Sequence, residues 1–228
     1  MKITLNKGQK LFFTSDTHYN HTNICHGVSK WAEERNCRPF QTLEKMNNTI
    51  VANINKVVGQ DDILIHFGDW SFGGSDKIWE FRNRIVCKNI YLFLGNHDNH
   101  IAGNKIVPQD ISKTFRELFL SVRDYAYLTI SIPQEKTGKL IAQPKNLKLR
   151  FVCCHFPLAS WHDMNQGVIH LHGHIHTPHE HKIGPGKMMD VGIDGHPEFR
   201  PYELNEVLQL IKKQPIKGLL KHEYDHHE

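Results

Sequence analysis

The N-terminal half of the chain alternates between two hydrophobic periods, and that alternation limits it to few folds. Short apolar runs at 10–16 (KLFFTSD), 62–69 (DILIHFGD) and 89–98 (NIYLFLGNHD) read as strands bounded by polar or glycine-containing turns. Between them the period lengthens. Segment 42–58 carries Leu43, Met46, Ile50, Ile54 and Val57 at three- and four-residue steps, the apolar face of a helix. Segment 75–86 repeats the pattern with Ile78, Phe81 and Ile85, and Ser75 is a candidate cap. Strand, helix, strand, helix, strand opens an α/β architecture. Further strands are expected at 125–132, 147–155, 168–174 and 188–194. A surface loop is expected at 132–146, and a short helix or last strand at 203–213.

Composition sets outer bounds. The 228 residues, 39% hydrophobic and 23% charged, suffice for one domain with its own core, taken as 1–228. Residues 212–228 are expected to be a solvated, mobile tail. No apolar run approaches the roughly 18 residues of a membrane span, and the apolar core before Thr14 and Ser15 is too short for a signal peptide. The cytoplasm is therefore the expected location. Cys25, Cys37, Cys87, Cys153 and Cys154 form an odd set without a CxxC pair, which argues against a disulfide framework. Cys153 and Cys154 read as small apolar strand residues facing opposite ways. A formal net charge of +4 permits an anionic substrate but lacks the basic stripe of a duplex-binding protein.

The strand ends carry the chemistry. The first ends in Asp16 and His18, the second in Asp69, and the third in Asn96, His97 and Asp98. His155 follows a later strand, and segment 170–182 (HLHGHIHTPHEHK) holds six histidines, among them His172, His174 and His176. Ligands of open α/β sheets bind beyond the carboxyl ends of strands. Oxygen donors mixed with imidazole, and no thiolate, suit Mn²⁺, Fe, Zn²⁺, Ni²⁺ or Co²⁺ rather than Ca²⁺ or a structural cysteine-zinc site. Asp16/His18 and His174/His176 are i, i+2 pairs, which point the same way on an extended segment. Gly68, Gly95 and Gly173 precede these groups and let the backbone approach closely.

The series D-x-H (Asp16, His18), GD (Gly68, Asp69), GNHD (Gly95 to Asp98), His155 and GHxH (Gly173 to His176) resembles the calcineurin-like metallophosphoesterase family. SDTHYNHTNI, followed by Arg38-Pro39-Phe40, is similar to a small bacterial and phage-type subgroup. The resemblance implies a sandwich of two mixed β-sheets flanked by helices. It also implies two divalent ions, Mn²⁺ foremost with Fe, Zn²⁺, Ni²⁺ or Co²⁺ as alternatives. Asp16, His18, Asp69 and His176 would hold one, and Asp69, Asn96, His155 and His174 the other, with Asp69 bridging. A metal-bridging hydroxide would attack phosphorus, and His97 would stabilise the transition state or protonate the leaving group. Asp98 would orient His97 or cap its turn.

Neighbouring residues complete the expectations. His21, Asn23 and Arg38 are candidate substrate contacts. His172 is expected beside the ligands, His66 and His170 as structural residues, and His179 and His181 on a solvated loop. His100 is a candidate lid residue, and His196 a candidate for the pocket mouth. Trp70, Phe72 and Trp79 are expected either to pack or to stack a base.

Three functions compete. The foremost is hydrolysis of a small phosphodiester or phosphomonoester, nucleotide-like, without stable duplex binding. Related subclasses fit less well: protein Ser/Thr phosphatases of this kind read GDxVDRG and GNHE, and lipid-A pyrophosphatase relatives read GNRD. The second is a nuclease on short single strands, which a groove formed by Arg35, Arg38, Arg82, Arg84 and Lys88 would favour. The third is a non-catalytic scaffold, which retention of every ligand and His97 opposes.

Overall fold

The computed structural model describes residues 1–31, 37–103, 109–134, 146–178 and 183–216. Two five-stranded sheets face each other. The first holds β1 (Lys2–Thr4), β6 (Tyr125–Ile132), β7 (Leu147–Cys154), β8 (Ile169–His172) and β9 (Met188–Asp190), in that order. The second runs β10 (Tyr202–Glu203), β2 (Leu11–Thr14), β3 (Ile63–His66), β4 (Asn89–Phe93) and β5 (Ser121–Arg123). The antiparallel pairs are β6–β7 and β10–β2; all others are parallel, so both sheets are mixed, as expected.

Strand alternation explains the layers. Phe13, Ile65 and Phe93 point from the second sheet toward Leu128, Phe151 and Leu171 of the first. Their neighbours Phe12, Leu64 and Leu92 point the other way, onto α1 (Leu43–Val57) and α2 (Ser75–Arg84) through Met46, Ile50 and Phe81. β2 and β3 are buried on both faces, which is why they read as continuous apolar runs.

Some boundaries differ from the sequence reading. Thr42 caps α1 by accepting from the Lys45 backbone N–H at 3.1 Å. Ser75 does not cap α2; Gly74, with φ 77°, holds the cap position and Ser75 is the first helical residue. The segment at 203–213 supplies both alternatives: β10 hands directly to α5 (Leu204–Ile211). Strands β1 and β5 and helices α3 (Asn99–Ala102) and α4 (Gln109–Arg116) were not anticipated, because each is too short or too polar to show a period. Most of the loop expected at 132–146, and the tail from 217 onward, lie outside the described residues. Among the described residues, no helix is long and apolar enough to cross a membrane.

Candidate metal centre

The strands stop short of the ligands, and the loops beyond them turn sharply. Asp16 (φ 53°), His18 (45°), Asp69 (56°), His174 (74°) and His176 (51°) all take left-handed backbone conformations. They are five of the eight non-glycine residues that do so among those described. Each such residue costs on the order of 1–3 kcal/mol, a strain that collects at functional sites. Extended alternation therefore does not aim the two i, i+2 pairs; left-handed turns do. Gly68 (φ 101°) answers the same need, since a Cβ there would strike the Gly95 backbone. A Cβ on Gly173 would collide with Ser15 and the Asp16 carboxylate.

The expected ligands converge. Asp69 Oδ2 lies 3.5 Å from His18 Nε2 and 3.6 Å from His155 Nε2, between two groups of side chains. On one side, His176 Nε2 stands 3.2 Å from His18 Nε2 and 3.7 Å from Asp16 Oδ1. On the other, Asn96 Oδ1 lies 3.0 Å from both His155 Nε2 and His174 Nδ1. Asp16, His18 and His176 bring ligand atoms within 4.8 Å of one another, and so do Asp16, Asp69 and His155.

The fixed hydrogen bonds leave the right atoms open. His155 Nδ1 donates to the Phe67 carbonyl at 2.7 Å and His176 Nδ1 to Asp194 Oδ2 at 2.7 Å, which turns each Nε2 inward. Asp16 Oδ2 accepts from the His174 backbone N–H at 2.9 Å, and Asp69 Oδ1 from that of His97 at 2.9 Å. Asp16 Oδ1 is buried with no hydrogen-bond partner. A buried carboxylate oxygen left this way is costly, and a cation satisfies it. The donor set thus fits divalent ions. Burial pushes Asp69 up to about 6, against the pull of His155. Burial, then His176, holds His18 well below the ordinary imidazole value. Burial opposes charge on His176 as well, but the Asp194 carboxylate prevails and raises it to about 9.

Arg38 is not the phosphate contact considered from the sequence. It is 3% exposed and makes four internal hydrogen bonds. Its Nε and Nη2 grip both oxygens of Asp194 at 2.6 and 2.8 Å, while Nη1 and Nη2 donate to the Thr17 and Asp16 carbonyls. Arg38 thereby ties the Asp16/His18 loop to the carboxylate that orients His176. Asp194 was missed altogether. It sits in VGID (191–194), and nothing local in that stretch announces a pairing with Arg38, 156 residues away.

Of the two roles considered for Asp98, the hydrogen bonds support turn capping over the catalytic one. Its carboxylate accepts from the backbone N–H groups of Asp69 (2.8 Å), Gly95 (2.8 Å) and Trp70 (2.9 Å), locking the GD loop to the GNHD loop. Buried and committed to backbone, it caps turns rather than orienting His97. His97 itself is exposed beside the centre, its ring 5.7 Å from that of His18 and 4.7 Å from Phe72. Burial lowers its pKa, with Asp98 opposing.

A cavity of about 240 Å³ opens there, lined by His18, His21, Phe72, His97, His174 and His176, among others. His21 lies flat on Phe72, 3.8 Å between centroids. Asn23 is not among the lining residues; it lies in a short 3₁₀ turn and its carbonyl accepts from Cys37 Sγ. His172 is buried behind the ligands, with Nδ1 3.0 Å from the Gly173 carbonyl. His66 (to Thr17 Oγ1, 2.9 Å) and His170 (to the Val152 carbonyl, 3.1 Å) are buried structural residues. His196 pairs with Glu206 at 3.2 Å, away from the cavity. Trp70 is core, and Trp79 is 39% exposed on α2. His179 and His181 lie outside the described residues.

Three of the five residues considered for a basic groove turn to other partners within the chain. Arg38 is buried on Asp194, Arg82 donates to the Leu118 and Ile85 carbonyls, and Arg84 donates to Tyr19 and Asn48. Arg35 lies outside the described residues.

Comparison with known proteins agrees with this geometry. The chain is 27% identical over 214 residues to the uncharacterized protein MJ1445 of Methanocaldococcus jannaschii, covering 91% of this chain and 94% of that protein. The fold is similar to the crystal structure of the protein of unknown function AQ665 from Aquifex aeolicus, with a TM-score of 0.55 and 20% identity, over 90% of this chain and 100% of that one. Residues 9–199 match the calcineurin-like phosphoesterase family, a span that holds every candidate ligand from Asp16 to His176, so the chain belongs to the calcineurin-like phosphoesterases.

Proposed function

We propose that this protein hydrolyses a small phosphodiester or phosphomonoester of the nucleotide kind at a binuclear centre. The observation that carries the reading is Asp69 Oδ2, set almost equally far from His18 and His155, the place of a carboxylate shared by two ions. Asp16, His18 and His176 complete one ligand set; Asn96, His155 and His174 complete the other. Two divalent ions, Mn²⁺ foremost, would supply Lewis-acid charge and lower the pKa of a bound water.

The chain's own residues do the rest. Two carboxylates would serve two ions, and Asn96 would contribute a neutral oxygen, so the centre would keep positive charge for a phosphate. His97 stands exposed at the cavity, within reach of a leaving-group oxygen, to donate a hydrogen bond or a proton. The backbone bond from His97 N–H to Asp69 Oδ1 couples that loop to the centre. Stable duplex binding is not part of the proposal, because three of the candidate arginines face internal acceptors. The five cysteines are all free, which supports a cytoplasmic site of action.

The test is hydrolysis of a chromogenic monoester and a chromogenic diester by protein stripped and reloaded with Mn²⁺, Ni²⁺, Zn²⁺, Fe²⁺ or Mg²⁺. Diester turnover that His97→Ala abolishes places it among the phosphodiesterases; turnover of the monoester alone makes it a phosphatase. No turnover with any metal, despite two bound ions per chain, overturns the catalytic reading in favour of a scaffold.

A further inference from the structure

Beside the metal cavity lies a larger one of about 540 Å³, walled by Ile24, Trp31, Pro39, Ile175 and Phe199 and reached by the Arg38–Asp194 pair. The two cavities share Ile24, Trp31 and His176. A molecule whose phosphate sits among the ligands can therefore extend past His176 into the second space. The volume falls within the usual range for small-molecule sites, and the wall mixes apolar side chains with the polar groups of Arg38, Asp194 and His176.

Three features define what would fit. Trp31 is 44% exposed, although it borders both cavities. An exposed indole beside a phosphate site offers a π-face for a flat ring. Among the described residues of the wall, Arg38 and Asp194 pair with each other, and His176 stands at the boundary. The Arg38 guanidinium is thus committed to Asp194 rather than free for a second phosphate. Phe199 holds φ 48°, a left-handed conformation that bulky residues rarely adopt, and its ring packs edge-on against Phe40 at 5.3 Å. Strain of this kind collects at ligand sites, and here it fixes one wall.

We infer that this cavity is the nucleoside subsite of a nucleotide substrate, with the base against Trp31 and the phosphate reaching the metal ligands past His176. The inference rests on the phosphoesterase reading and adds where, and by what contacts, the organic part of the substrate is held. Asp194, with 14% of its side chain exposed, supplies an acceptor for a base or sugar donor at the edge.

Calorimetry on the Mn²⁺-loaded protein tests it, with adenosine 5′-monophosphate and inorganic phosphate as paired probes. The nucleotide is expected to bind about tenfold or more tighter, the scale of one base stacked on an aromatic ring. Trp31→Ala is expected to remove most of that difference, because the substitution strips the stacking face, together with the ring's edge contact to His21 at 5.6 Å. Equal binding of the two probes to the wild type, or equal weakening of both by Trp31→Ala, overturns the subsite and leaves the phosphoesterase reading standing. Failure of both probes to bind overturns both. A second measurement compares methyl p-nitrophenyl phosphate with thymidine 5′-(p-nitrophenyl phosphate), which share a leaving group. The nucleoside ester should show the higher kcat/KM, and the ratio should fall toward one in Trp31→Ala; a ratio near one in the wild type counts against the subsite.

Discussion

Asp194 Oδ2 lies 2.7 Å from His176 Nδ1, and the same carboxylate is held by Arg38 at 2.6 and 2.8 Å. One buried ion pair thus sets the tautomer of a candidate ligand and anchors the loop bearing two others. Asp194→Asn is expected to weaken one of the two metal-binding steps by about 10–100-fold, the usual effect of losing such a partner, with less change in the other. It also leaves Arg38 buried without a counter-charge, a cost on the order of 3–5 kcal/mol. The double variant Arg38→Met, Asp194→Asn removes both charges, so the thermal loss should shrink while the metal defect persists. Calorimetric titration of the metal-free protein reads the steps, and thermal melts read the fold. Equal loss at both steps would make the pair a general scaffold element.

Asp69 faces both ligand groups with one oxygen, so Asp69→Asn is expected to empty both metal positions. Elemental analysis after dialysis measures this directly. Two ions retained per chain would show that Asp69 does not bridge.

His97 is near the centre but outside both ligand groups. His97→Ala should keep its metal and lose about two to four orders of magnitude in kcat, the scale of a lost general acid. Parallel loss of metal and rate would move His97 into the ligand set.

His170 is locked in its neutral form: Nε2 accepts from the Leu158 N–H at 3.1 Å while Nδ1 lies 3.1 Å from the Val152 carbonyl. Burial lowers its pKa to about 4. Because the folded pKa lies below the unfolded one, the unfolded chain binds the extra proton first as pH falls. The contribution of His170 is complete above about pH 6.5 and is lost on descent toward about 4, on the order of 3 kcal/mol in all. His170→Gln should flatten the dependence of the urea midpoint on pH across that window. An unchanged slope would mean that His170 titrates alike in both states.

Gly68 combines φ 101° with backbone contact against Gly95. Gly68→Ala should cost about 2 kcal/mol or more, and should disturb metal binding because Asp69 follows directly. A thermal melt within a degree of wild type would show that the GD and GNHD loops can separate without penalty.

The candidate ligands were legible in the sequence because each follows an apolar run whose period gives its strand away. Ligands of α/β sheets gather beyond the carboxyl ends of strands, so Asp16, His18, Asp69, Asn96, His155, His174 and His176 group from the sequence alone. The family motifs added the division into two sets. Both mixed sheets were expected on the same grounds.

What surrounds the ligands was decided only in three dimensions. Arg38 and Asp98 looked like substrate or catalytic groups, since a polar side chain near a motif carries no mark of where it turns. The fold gives Arg38 an acid 156 residues away and gives Asp98 three backbone donors. The aim of the i, i+2 pairs came from left-handed turns, which only the loops' packing against Gly68 and Gly173 imposes. Periodicity records which face of an element is buried. It does not record which distant partner satisfies a buried charge or which loop must turn against its preference, because both depend on contacts that exist only after the sheets have packed.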